Sequence, residues 1–423
     1  MSRIILMKYV GWVLLLTGIQ PSLMGQEVIQ AVTIADSKYH SQHYAEAGMF
    51  YVRVFEQEKY ENPLFYIKAA QCYALDQNLD SAFYCLHKGG KAGFRDLDYL
   101  HQNEDFEALK EHRKWKKVLK LVEDNRTAYH DPEKAKVITS DIQRFWKCFD
   151  KIDERNSRDI FEKEYLNPGS LGLKEFFRTR VLSLQGFLFK VKSRKTYFSD
   201  IREATKSIKK IDPEIKRSFQ RLHKLYPEAV FPDIYLVIGS MTARSTPTSV
   251  GLLVGVELYS KTDSTSTEEL NAREKAISRT VDKLPALIAH DLVHYQQSYE
   301  EAPTLLAACI REGVAEFISV LITGQNAHDE LYQYGKAHEK EIWDTFYREM
   351  YGKSYQKWLF NESTVEDKPV NLGFWIGYKI CESYYAKAPD KQKAIQEMLH
   401  IRDFQAFFDQ SGYGHWAMNS QAE

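Results

Sequence analysis

Apolar positions recur at helical spacing through most of the chain. Phe145, Trp146, Phe149 and Ile152 form one stripe, and 201–225 carries another. Between 27 and 95 the helical pattern repeats. Tyr73, Ala82 and Leu86 take packing positions in the unit 63–94, with Gln77-Asn78 at its turn, and Tyr44, Ala47 and Tyr51 take related positions one unit earlier. A helical stretch over 99–122, with Trp115 as an anchor, predicts a cap. Polar 124–132, closing on Asp131-Pro132, predicts a linker. From 135 to about 226 the pattern predicts helix, broken at Asn167-Pro168-Gly169-Ser170. The runs 234–238 and 252–258, rich in β-branched and leucine residues, then predict a small antiparallel sheet. The second run reads as a sheet edge able to pair an extended peptide through its main chain. Helical periodicity returns from 284 onward.

The 35-residue step from Ala47 to Ala82 is close to the ~34-residue period of tetratricopeptide helix pairs, whose stacked units leave a groove for a protein segment. The expected architecture is therefore α+β and mostly helical. It has a signal peptide over 1–25, a tetratricopeptide-like (TPR-like) helical domain over 27–122 and a second domain over 135–423. A length of 423 residues suits such a division, because single cores stop growing near ~250–300 residues.

Arg3 and Lys8 followed by the apolar run 9–19 read as a secretory leader, too short for a confident span, with cleavage before Gln26. The expected location is exported, periplasmic or extracellular, with no membrane span once the leader is removed. No cysteine lies near this cleavage site, so no lipid anchor is expected there. The five cysteines (72, 85, 148, 309, 381) are odd in number and widely spaced, which predicts buried thiols; Cys72 and Cys85 are the one pair placed for a disulfide. A net charge of −1, with both signs interspersed, excludes general electrostatic binding of nucleic acid.

The candidate chemistry lies in 284–324. His290 and His294, at i and i+4, share one helix face. Glu312 follows on a second helix predicted over 302–324, and Glu316 lies one turn later. By chance, 13 histidines in 423 residues give about 0.4 such pairs, so the pair alone is weak and the carboxylates carry the signal. Two imidazoles and a carboxylate form a three-ligand zinc set. Gly313, costly within a helix, is read as the point where the histidine helix approaches. The remaining histidines are read as surface residues. Glu257 is read first as a solvent-facing or structural carboxylate, with holding a substrate amine as the other reading.

These residues resemble the gluzincin zinc peptidases, and more closely the "predicted Zn-dependent protease" family of bacterial envelope proteins. The likeness rests on Leu287–Gln297 (LIAHDLVHYQQ) and Arg311–Phe317 (REGVAEF), with outlying matches at 141–146, 226–232 and 371–378. It implies a zincin-like metallopeptidase domain. His290, His294 and Glu312 would ligate Zn2+, Glu316 would fix a ligand histidine from behind, and Tyr378 is a possible oxyanion donor. Asp291 stands where the family usually has Glu, so the general base is one methylene short. The expectation is a secreted zinc peptidase of reduced or specialised activity, acting on a peptide or protein substrate, with a further protein partner in the TPR-like groove. The alternative is a non-catalytic pseudo-peptidase serving, with the repeats, as a binding module.

Overall fold

A computed structural model describes residues 23–56, 62–242, 245–299, 304–361 and 368–414; the leader expected over 1–25 lies almost wholly outside them. The molecule is mostly helical with one small sheet. Two compact units are present. The first comprises residues up to Ser193 with 232–243 and 248–253; the second comprises 194–231, 244–247 and the chain from Val254 onward.

The first unit opens with Leu23–His40, Tyr44–Glu56, Pro63–Leu75 and Leu79–Lys91. Asn62 caps the third helix just before Pro63, and Asn78 caps the fourth at the turn the sequence marked, where Gln77 adopts φ 59°. Ala47 and Ala82 are fully buried, and the Tyr73 ring sits against Gly48, where a Cβ would come within 2.9 Å of it. Helix Arg113–Tyr129 supplies Trp115, Val118 and Val122 to the same core. That helix runs through Asp124–Tyr129, so most of the expected linker is helical: its side chains propagate the amphipathic stripe up to the cap at His130. All five cysteines are buried thiols, with no bond between Cys72 and Cys85.

The expected helix from 135 onward begins instead with a short strand, β1 (Val137–Ile138). β2 (Ile234–Val237), β3 (Ser245–Pro247) and β4 (Leu252–Gly255) complete a mixed sheet in the order β1-β2-β4-β3. β1 runs parallel to β2, with Val137 opposite Ile234, so the sheet is not the antiparallel one expected. β4 is an inner strand, its residues all buried, and the chain turns into a 3-10 segment at Val256–Tyr259. It offers no free edge, and the expected peptide-pairing strand is corrected on that ground. Two-sided burial explains its unbroken apolar run. Glu257 is fully buried in that 3-10 segment, not poised at a surface.

In the second unit, Leu284–Gln296 (the histidine helix), Leu305–Thr323 (the glutamate helix) and Leu372–Lys387 (the glycine helix) carry most of the candidate residues. The first starts with proline in its opening turn. The second is capped by Thr304 and ends at Gly324, φ 79°, the left-handed residue that closes many helices. Gln296 pins the first of these to the segment ahead of β2. Its side-chain amide accepts from Val230 N–H at 2.8 Å and donates to Val230 C=O at 2.9 Å. Among the described residues no helix is long and apolar enough to cross a membrane.

Candidate metal centre

The i, i+4 spacing brings His290 and His294 to one face, and the glutamate helix presents Glu312 to both. His290 Nε2 lies 3.1 Å from His294 Nε2 and 3.5 Å from Glu312 Oε2, and His294 Nε2 lies 3.4 Å from the same oxygen. Ligands about 2.0–2.1 Å from a tetrahedral zinc stand roughly 3.3–3.4 Å apart. The three atoms therefore form a face of such a tetrahedron without rearrangement. The three residues form a group able to hold a metal ion.

The outer ring atoms are also held. His294 Nδ1 is 2.7 Å from Gln297 Oε1, and Gln297 Nε2 donates to Arg311 C=O at 2.8 Å. That second bond fixes which end of the amide faces the ring. His294 must then donate through Nδ1, which leaves Nε2 with a lone pair for a metal. His290 Nδ1 lies 3.0 Å from Glu316 Oε1. Burial disfavours a charged His290, but Glu312 and Glu316, one facing each ring nitrogen, outweigh it and push the imidazole up to about 10. Burial likewise opposes ionisation of Glu312 and Glu316. His294 and His290 around the first, and His328 and His290 around the second, hold both carboxyls well below the usual range. Two buried carboxylates facing a histidine pair supply the donor chemistry that a divalent cation would take.

Four sequence readings meet different outcomes here. Glu316, which the resemblance placed behind a ligand histidine, has its Oε1 3.0 Å from His290 Nδ1. Gly313 does not approach the histidine helix: a Cβ there would fall 2.0 Å from the carbonyl carbon of Gly377 on the glycine helix. Adjacent positions on a helix point about 100° apart, so Glu312 and Gly313 address different neighbours. Asp291 is buried on the histidine helix and outside the three-ligand group. Tyr378 donates to Glu382 at 3.1 Å, and burial, then the neighbouring carboxylate, raise its pKa, so the hydroxyl is tied to its own helix. Sequence reasoning missed Gln297, His328 and Tyr332. His328 Nδ1 lies 3.1 Å from Glu316 Oε1, and Tyr332 O–H donates to Glu316 Oε2 at 3.1 Å. His328, with its side chain only 11% exposed, is not the surface histidine expected.

Residues 127–415 match the family model described as gliding motility protein GldB, a span that includes His290, His294 and Glu312. The chain belongs to the GldB family. No curated protein and no solved structure matches it. Family membership overturns the gluzincin identification, and with it the assignment as a zinc peptidase. Asp291 loses its role as general base and Tyr378 its role as oxyanion donor. The misreading has a physical source. A pair of histidines and a carboxylate specify an ion's surroundings, whereas the reaction depends on everything else around it.

Proposed function

We propose that this chain is a non-enzymatic, exported component of a cell-envelope gliding apparatus, acting through protein partners. In it a zinc ion held by His290, His294 and Glu312 fastens the histidine helix to the glutamate helix, leaving a fourth position for water. The observation that carries the metal assignment is the triangle of ligand atoms, 3.1, 3.4 and 3.5 Å on its sides. The gliding role rests on the family match over 127–415. Residues 27–122 lie ahead of that match and form a TPR-like partner-binding domain. Support comes from their own buried core, closed by Trp115, and from Met49, Leu79 and Tyr84 exposed on their surface. The family label also denotes lipoproteins, unlike the anchor-free leader read from the sequence.

Deleting the gene in its own host should abolish surface spreading, and the wild-type copy should restore it. The near-isosteric Asp291→Asn copy should restore it too, because no catalysis is involved, whereas His290→Ala should not. Normal spreading in the deletion strain would contradict the gliding role.

A further inference from the structure

A histidine that ligates a metal through Nε2 must keep its Nδ1 proton on a fixed acceptor; otherwise the ring changes tautomer or turns away. For His290 the group facing Nδ1 is Glu316, whose Oε1 lies 3.0 Å away. A carboxylate only 1% exposed is itself untenable without donors of its own. These come from beyond the glutamate helix. Gly324 turns the chain back, and the next segment delivers His328, just ahead of helix Asp329–Ala337, and Tyr332 within it.

His328 approaches the same oxygen, Oε1, that faces His290, at 3.1 Å against 3.0 Å, while Tyr332 takes Oε2. A second path joins the two histidines. Phe374 of the glycine helix stacks on the His290 ring at 5.7 Å and 15°, and meets the His328 ring edge-on at 5.8 Å and 84°. The four side chains close a circuit: His290, Glu316, His328, Phe374. His328 thus contacts both the carboxylate behind His290 and the aromatic ring beside it.

We infer that His328 is a positioning residue of the metal centre, which sets zinc affinity by fixing Glu316 and the His290 ring without touching the metal. This rests on the metal reading proposed above. Tyr332 assists from the other carboxylate oxygen, so the segment 325–337 is coupled to metal occupancy.

The test measures zinc affinity by competition with a chromophoric chelator, alongside the melting temperature of metal-stripped protein, using the whole exported chain. His328→Ala should weaken zinc binding about 10–100-fold, the range for loss of an outer-shell partner. His328→Gln, whose amide N–H can still meet Glu316, should recover most of that loss. Tyr332→Phe, which removes one donor from the oxygen away from His290, should weaken binding less than His328→Ala. Stripped His328→Ala should itself melt below the stripped wild type, because the buried Glu316 loses a partner, so zinc affinity is the readout that decides. A merely structural histidine would lower the stripped protein's melting temperature and leave affinity unchanged; that result overturns the inference, as does a failure of Gln to exceed Ala. Absence of zinc binding by the wild type would instead remove the metal centre itself, a failure distinguishable from that of His328.

Discussion

Stripping zinc should lower the melting temperature of the wild type by about 5–10 °C, and Glu312→Gln should remove that response. A ligand bound only by the native state at 100 times its dissociation constant stabilises by about 2.7 kcal/mol, and for domains of this size each kcal/mol moves the midpoint by about 2–4 °C. Glu312 is shared by both histidines, at 3.5 and 3.4 Å, so losing its charge removes the ligand that joins the two helices. The stripped variant should also fall below the stripped wild type. His290 would keep Glu316 on one side but lose its partner on the other, and breaking a buried pair costs about 3–5 kcal/mol. Calorimetry with and without chelator separates the two effects. An equal chelator response in wild type and variant would mean that zinc stabilises the chain from elsewhere.

Gly377→Ala should destabilise the second unit by about 3 kcal/mol or more, the upper end of overpacking effects. Helix propensity alone predicts the opposite sign, a gain of about 1 kcal/mol for alanine over glycine. Packing decides. A Cβ at Gly377 would lie 1.8 Å from the carbonyl oxygen of Cys309 and 2.8 Å from the Cα of Gly313. The obstructing atoms are backbone, so no rotamer relieves the clash and the two helices must separate. Gly313→Ala should behave alike, its Cβ 2.0 Å from the Gly377 carbonyl carbon. Gly324→Ala is the contrast. Its Cβ meets nothing within 4 Å, and only the positive φ is strained, at about 1–2 kcal/mol. Urea unfolding of the three variants should rank them so; a stabilised Gly377→Ala would refute the close crossing.

The grouping of His290, His294 and Glu312 was legible because it depends on local spacing. An i, i+4 pair on one helix needs only the helix, and Glu312 follows on the next. What surrounds the cluster was illegible for the opposite reason. Gly313 announced a close approach, but its partner, Gly377, is 64 residues away, and nothing local to Gly313 selects one helix over another. His328 was read with the other histidines as a surface residue, since its burial arises from Phe374 and Glu316 rather than from its neighbours. Gln297 lay inside the motif, and its second bond, to Arg311 C=O, is the feature that gives it a role. In the sheet, β1 is two residues long and too short for any periodicity. Without it the parallel pairing, and hence the mixed sheet, could not be read. The apolar run at 252–255 fitted an inner strand as well as an edge, and only the neighbours of β4 decide between them.

The central claim concerns which atoms hold the ion. Anomalous diffraction on crystals of the zinc-loaded protein, collected on either side of the zinc edge, tests it most directly. The account predicts one strong peak per chain within about 2.0–2.2 Å of His290 Nε2, His294 Nε2 and a Glu312 oxygen, with Asp291 and Tyr378 outside bonding distance. A zinc-loaded crystal with no peak between the histidine and glutamate helices, or with its peak on other residues, would contradict it.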